Sequence, residues 1–381
     1  MTEPQRLTFN RPTLEGDELA YVRQSVEGGH TSSSGQFAER ASELLRDTIG
    51  AQDVLLTTSC TAALEMSGLL LNVQPGDTVI VPSFTFVTTA LAYVRSGARL
   101  VFADIEEETL GIDPEHVASL LDERVRAVVG VHYAGIGCDV AGLEKALAGA
   151  PGVELIEDNA HGLFGTYQGR PLGSFGRFAT LSFHETKNFV CGEGGALVLN
   201  DADDVDRAHV LYDKGTNRRA FMLGDVDKYS WKDTGSSFGL SDILAAYLLA
   251  QLEQRDQILA KRRAVFEHYD ELLAPLSTEH GFRTPVVPED RGAAWHMYYV
   301  LLPDRGTRDR VLDRMREQGI HPTFHYVPLH SSDGGFRYAA KLTDCPVTNR
   351  VSSRLLRLPF HNALRREDVE RVAETFITSL D

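Results

Sequence analysis

The feature that most restricts how this chain can fold is an alternation between residues 50 and 200. Short apolar runs at 54–56, 78–81, 99–102, 125–131, 153–156, 178–183 and 196–199 are separated by longer stretches with helical spacing, such as 62–71 and 114–121. A strand that is apolar on every residue has to be covered on both faces, and interposed helices supply that cover. The pattern predicts an α/β domain with a mostly parallel sheet flanked by helices, in which functional groups collect at the carboxyl ends of the strands. After residue 240 the texture changes. Residues 240–269 are rich in Leu, Ala, Gln and Arg with few breakers, which predicts one connecting helix. Beyond Pro285, strand-like runs at 295–302 and 323–327 bracket an amphipathic helix at 307–318, and a last helix is expected over 367–380. A chain of 381 residues exceeds what one core usually supports. The expected division is a large domain over 1–250, holding the N-terminal segment and the start of the connecting helix, and a smaller C-terminal α/β domain over 251–381.

Charge and cysteines narrow the function. Acidic residues outnumber basic ones 54 to 38, a net charge of −16 that opposes general binding to nucleic acid or to a membrane surface but leaves room for a local basic pocket. No apolar run approaches the ~18 residues of a membrane span, and residues 1–11 are polar without a signal-peptide core. Cys60, Cys138, Cys191 and Cys345 lie far apart, which suits reduced thiols and a cytoplasmic protein. His321 and His325 stand four apart, but Pro322 and the β-rich Tyr326-Val327 oppose a shared helix face, so no metal site is expected. Glu106-Glu107-Glu108 is expected to form a solvated turn.

The chemistry-bearing segments follow the apolar runs. Ser182-Phe183-His184-Glu185-Thr186-Lys187-Asn188 leads into Gly192-Glu193-Gly194-Gly195, so a strand delivers Lys187 to a glycine-rich turn. A lysine that forms a Schiff base must attack as the neutral amine, which desolvation favours. Upstream, the run at 153–156 ends in Glu157-Asp158-Asn159-Ala160-His161. A carboxylate at a strand end can keep the ring nitrogen of pyridoxal phosphate (PLP) protonated, the condition under which that ring accepts electrons. Asp158 suits that role, and His161, three residues on, the ring hydroxyl. Thr58-Ser59-Cys60-Thr61-Ala62 is a hydroxyl-rich turn entering a helix, an arrangement that binds phosphate through free amides and the helix dipole. Thr61 and Ala62 are the candidates there, with Ser182 as a further donor. Phe86, in Pro82-Ser83-Phe84-Thr85-Phe86, is placed to stack on the ring. Taken singly, each has a plainer reading: a surface lysine, a helix-capping Asp, an ordinary N-cap, a core Phe.

As a set, SCTAALEM, PSFTFV, VHYAG, EDNAH, SFHETKN, GEGGA, SDILAAYLLAQLE and HYVPLH resemble the DegT/StrS sugar aminotransferases, from Phe9 to about Leu358. The resemblance implies a fold-type I PLP enzyme, a homodimer with active sites at the interface, using Lys187 as Schiff-base lysine, Asp158 as pyridinium partner and Ser182 as phosphate ligand. FHETKN, KGTNR and VDKYSWKDTGSS look most like the transaminases that make dTDP-4-amino-4,6-dideoxyhexoses, which implies a nucleotide-sugar substrate and an amino-acid donor, L-glutamate. It also implies that Asn217–Lys228 lends residues to the partner subunit, and that His325, Tyr326 and His330 lie near the sugar. Lys214, Arg218, Arg219, Lys228 and Lys232 cluster where a diphosphate would be met, Arg218 and Lys228 foremost, although Asp225, Asp227 and Asp233 interleave with them. The sequence departs from many members before the connecting helix: Ser237 takes the position of an Asn that reaches the neighbour's PLP phosphate, and Gly239 that of an Arg. Ser237 or Asn217 would substitute. Two other enzyme readings stay open, amination of another keto sugar or keto-inositol and PLP-dependent removal of a sugar hydroxyl. The dehydrases carry His at the lysine position, which Lys187 opposes. A binding protein on the same fold would have no need of the lysine, carboxylate and phosphate turn together.

Overall fold

The computed structural model describes residues 6–381. Its centre is a seven-stranded sheet built from the seven apolar runs. In chain order these strands are β1 (Asp53–Thr57), β2 (Thr78–Pro82), β3 (Arg99–Ala103), β4 (Val125–Val131), β5 (Glu154–Asp158), β6 (Phe178–Ser182) and β7 (Gly195–Leu199). They lie side by side as β1-β7-β6-β5-β4-β2-β3. Only β7 runs antiparallel to its neighbours; the pairs β2–β3, β2–β4, β4–β5 and β5–β6 are parallel. The mostly parallel sheet expected from the sequence is therefore present.

Alternate residues of each strand go to opposite faces. The first four helices are α1 (Glu18–Glu27), α2 (Gln36–Ile49), α3 (Cys60–Leu70) and α4 (Val87–Arg95), and Leu55, Leu197 and Leu199 pack with α3 and α4. Val54, Leu56, Ala196 and Val198 pack with Phe37 to Ile49 of the flanking helix Gln36–Ile49 and with the helix Asp242–Glu253. The consequence is positional: the ends of β1, β2, β4, β5 and β6 all open on one edge of the sheet.

The C-terminal part differs from expectation in three places. The connecting helix is two helices, Asp242–Glu253 and Arg255–Leu273, broken at Gln254 (φ −98°, ψ 19°). The strand over 295–302 shrinks to β8, Tyr299–Leu301, because Trp295 turns into the left-handed region (φ 53°). Residues 323–327 form no strand beyond one bridge from Thr323 to Arg357; the partner of β8 is β9, Leu355–Arg357. The two expected helices span Arg305–Glu317 and Arg366–Leu380. They enclose a separate core of Val265, Tyr269, Val311, Met315, Val372 and Phe376. Leu7 joins this core, although the N-terminal segment was expected with the large domain. The turn at 106–108 is also less solvated than expected: Glu106 is half-buried, and Glu107 is held by Arg283 and Arg350 at 3.1 and 3.0 Å.

Candidate active site

Five strand ends build one chamber. β1 runs through Thr57 into Ser59, whose hydroxyl caps α3 by accepting from the Ala62 amide at 3.1 Å. Such a cap stabilises a helix by about 1 kcal/mol and leaves its N-terminus positively polarised. The Ala62 amide is thus already engaged, while Thr61 beside it is partly exposed. β7 starts opposite this turn at Gly195, where a Cβ would run into the backbone of Ser59 and Cys60. Glycine is required there for the turn to lie against the sheet.

Asp158 ends β5 and is 5% exposed. One carboxylate oxygen accepts from Thr89 Oγ1 at 2.7 Å and the other from the Ala160 amide at 3.2 Å. Among the described residues it has no ion-pair partner. A buried carboxylate held only by neutral donors suits a cationic group brought in from outside, such as a protonated ring nitrogen. Next to it, Glu157 points the other way, accepting from the amides of Gly173, Phe175 and Gly176. Adjacent acids therefore take a structural and a site-facing position.

Lys187 follows β6 and is half-buried. Desolvation, with Cys60 and Asp158 opposing it and Arg357 adding to it, lowers its pKa to about 8. Burial also pushes the Cys60 thiol up to about 12. A narrow crevice between Ala160, His161, Ser182, Lys187 and Asn188 joins the lysine to the end of β5. His161 stacks on His296 at 4.2 Å. Both imidazoles are held well below their usual pKa by burial and by neighbouring cations. Among the described residues His161 Nδ1 is buried without a partner, an atom suited to meet a ligand. Asn188 orients His296: its amide donates to the Ala294 carbonyl at 2.6 Å, so its oxygen accepts from His296 Nδ1 at 2.8 Å. A buried carboxylate without a cation, an unpartnered imidazole nitrogen, a helix N-terminus and a lysine of lowered pKa fit PLP.

The other wall comes from residues 325–330. His325 stacks on Tyr326 at 4.0 Å. Arg357 donates from Nη1 to His325 Nε2 at 2.7 Å, so the imidazole proton sits on Nδ1 and faces Tyr133 Oη at 3.2 Å. Tyr326 also lies 6.4 Å from Phe86, ring to ring. Phe86 is 57% exposed, whereas Phe84 is buried against Tyr133. His330 is committed elsewhere, its Nδ1 to Ser83 Oγ at 2.6 Å.

The basic segment is an exposed excursion that carries a short helix, Arg218–Leu223, and is clamped at its base. Asp213 bridges Ser237, Thr216 bridges Trp231, and Asn217 bonds the Lys228 carbonyl and the Ser230 amide at 3.0 and 2.7 Å. Asn217 thus spends its amide inside its own loop. Ser237 is exposed, next to Phe238, whose carbonyl accepts from the Thr58 amide in the turn before α3. Asp213 engages Lys214 at 2.8 Å and lies 3.8 Å from Arg218; Lys228 is exposed. Thr89, Tyr133, His296 and Arg357 were not singled out from the sequence. Tyr133 lies in the quoted VHYAG motif, but Thr89 and Arg357 carry no local signal.

Known proteins share this architecture. The profile of the DegT/DnrJ/EryC1/StrS aminotransferase family matches residues 12–377. The spore coat polysaccharide biosynthesis protein SpsC of Bacillus subtilis is 30% identical over 376 residues, which cover 97% of this chain and 95% of that protein. The aminotransferase TlmJ from Streptoalloteichus hindustanus has a TM-score of 0.89 at 30% identity, with 98% of each chain covered. The PLP form of the putative sugar aminotransferase Spr1654 from Streptococcus pneumoniae has a TM-score of 0.90 at 24% identity over 99% of each chain, a likeness of fold.

Proposed function

The chain belongs to the DegT/DnrJ/EryC1/StrS aminotransferase family, and from that premise we propose that it moves an amino group from L-glutamate to C4 of dTDP-4-keto-6-deoxyglucose, giving a dTDP-4-amino-4,6-dideoxyhexose. That it is a PLP-dependent sugar aminotransferase follows from the family. The observation carrying the chemistry is the lysine of lowered pKa set beside a buried carboxylate that lacks a cation.

Bound PLP holds the amino group between donor and acceptor and draws electrons from the carbon that carries it. Asp158, steadied by Thr89, keeps the proton on the ring nitrogen. His161 Nδ1 meets the ring hydroxyl, Phe86 covers the ring face, and Thr61, Ser182 and Ser237 hold the phosphate, with Ala62 behind them in the capped first turn of the helix. Lys187 removes the proton from the carbon that loses the amine and returns it at the carbon that gains it, a role that needs an amine titrating near neutrality. One group serves both directions, so no second base is needed.

The substrate assignment rests on the FHETKN, KGTNR and VDKYSWKDTGSS segments and on the exposed basic loop, whose Arg218 and Lys228 would meet the diphosphate. His325 and Tyr326 line the sugar side; His330 supports that wall through Ser83. The enzyme acts in the cytoplasm as a homodimer. To test the assignment, purified enzyme is given dTDP-4-keto-6-deoxyglucose and L-glutamate and the product is analysed by NMR, which should show an amine at C4. Turnover of a free keto-inositol with none of the dTDP-sugar would overturn the substrate.

A further inference from the structure

Three arginines are buried in the C-terminal half, and among the described residues only Arg357 has no oxygen partner for its guanidinium. Arg262 gives its guanidinium to three oxygens, those of Trp295, His296 and Asn362, at 2.8, 2.6 and 3.0 Å. Arg308 lies 2.6 Å from the Asp309 carboxylate. Arg357, 8% exposed at the end of β9, has neither arrangement. Its guanidinium has one hydrogen-bond partner among the described residues, the neutral His325, and its Nε is buried with none. A guanidinium stays charged at any working pH, and a buried, unpaired one is costly unless an anion arrives to meet it. We propose that Arg357, held in place by His325, is the anchor for the α-carboxylate of the amino donor. This rests on the reading that the donor is an α-amino acid.

Depth decides between the two anions that the reaction brings in. The field of Arg357 reaches Lys187, His161, Tyr133 and Tyr326, so the cation lies beside the reacting centre. In an α-amino acid the carboxylate is attached to the carbon that carries the reacting nitrogen. In a nucleotide-linked keto sugar the keto carbon is separated from the diphosphate by several bonds. The exposed loop at 214–232 is the cationic surface for that distant charge. Arg357 is therefore needed when the amino acid reacts and is idle when the sugar does. His325 serves the idle state. Its Nε2 accepts from Arg357 while its Nδ1–H is fixed by Tyr133 and its ring by Tyr326, so the guanidinium keeps its place while the sugar is bound.

The test follows the two half-reactions separately in the holoenzyme, by the absorbance of the bound cofactor, in wild type, Arg357→Gln and Arg357→Lys. With L-glutamate the rate constant at low substrate should fall on the order of 10²-fold or more in Arg357→Gln, and less in Arg357→Lys. With the amino sugar as donor the fall should be at least tenfold smaller. The α-amide of L-glutamate should react with wild type as poorly as L-glutamate does with Arg357→Gln, and combining both changes should cost little more. The amide comparison uses wild type alone, so it stands even if Arg357→Gln fails to fold. Maleate, a dicarboxylate with no amine, supplies a readout free of turnover: calorimetry should show it binding to wild type and not to Arg357→Gln, with inorganic phosphate failing to displace it. Equal losses in both half-reactions, an α-amide as reactive as L-glutamate, phosphate displacing maleate, or maleate binding that is absent in wild type or unchanged in Arg357→Gln would each overturn the proposal. Wild type that ignores every α-amino acid would refute the donor reading, and the maleate result would still decide the role of Arg357.

Discussion

At the scale of single residues, the site works by leaving charges uncompensated. Lys187, Asp158 and Arg357 occupy one chamber, and among the described residues none is in a salt bridge. Burial sets their behaviour, and for Lys187 the consequence is measurable. The amine must be neutral to attack the cofactor aldehyde, so covalent capture should quicken about tenfold per pH unit below its pKa and level off above it. With the pKa lowered to about 8, the rate of capture by cofactor-free enzyme, trapped with borohydride and read by mass spectrometry, should plateau near pH 8. A rate that climbs towards the ordinary 10.5 would mean that the amine is solvated. Lys187→Ala should give no trapped product at any pH. Lys187, Asp158 and Ser182 stand out in the sequence as candidates because each stands at or just beyond the end of an apolar run, and a parallel sheet gathers such positions at one edge. Arg357 does not. In RLLRLPF it looks like one of several arginines, and only the fold shows that β9 carries it inward while Arg354 bonds the Leu302 carbonyl instead.

At the scale of elements, the turn proposed to hold the phosphate depends on a strand that contributes no side chain to it. Gly195 begins β7 between Thr57 and Ser182, and a Cβ there would meet the backbone of Ser59 and Cys60, which cannot give way as a flexible side-chain tip could. Gly195→Ala should therefore displace the start of α3. The expected cost is about 1–3 kcal/mol of stability, as for other overpacked sites, together with at least a tenfold loss of affinity for PLP. Thermal denaturation and equilibrium dialysis measure the two. Unchanged affinity in a destabilised protein would detach the phosphate from this turn. All seven central strands were legible because a strand covered on both faces is apolar throughout, whichever way it runs. The same logic fails beyond residue 240. The break at Gln254 involves neither Gly nor Pro and separates a helix buried on most sides from an amphipathic one, so composition shows no boundary. Residues 323–327 have strand-forming composition, yet His325 and Tyr326 are drawn into the site and only Thr323 pairs.

At the scale of the whole molecule, the exposed surface is unfinished beside the chamber. Phe86, Val87 and Leu91 at the start of α4 are 57%, 49% and 39% exposed, and the loop at 213–237 carries Met222, Leu223 and Trp231 at 72%, 64% and 81%. Single exposed apolar residues are ordinary, but apolar groups on two segments flanking a reaction centre point to a surface that is covered in use. A second copy of the chain, the homodimer proposed above, would supply the cover and bring its own loop at 213–237 towards the neighbour's phosphate turn. The enzyme should then sediment as a dimer at assay concentrations. Replacing Leu223 and Trp231 together by Asp should shift it to monomer. Activity should fall with the dimer fraction, and return as protein concentration is raised if the copies re-associate. Both positions are exposed, Leu223 at the end of the short helix Arg218–Leu223 and Trp231 beyond it, so the isolated subunit should keep its helical circular dichroism. A wild-type monomer that is fully active, or a monomeric variant retaining wild-type turnover, would show that each chain completes its own site.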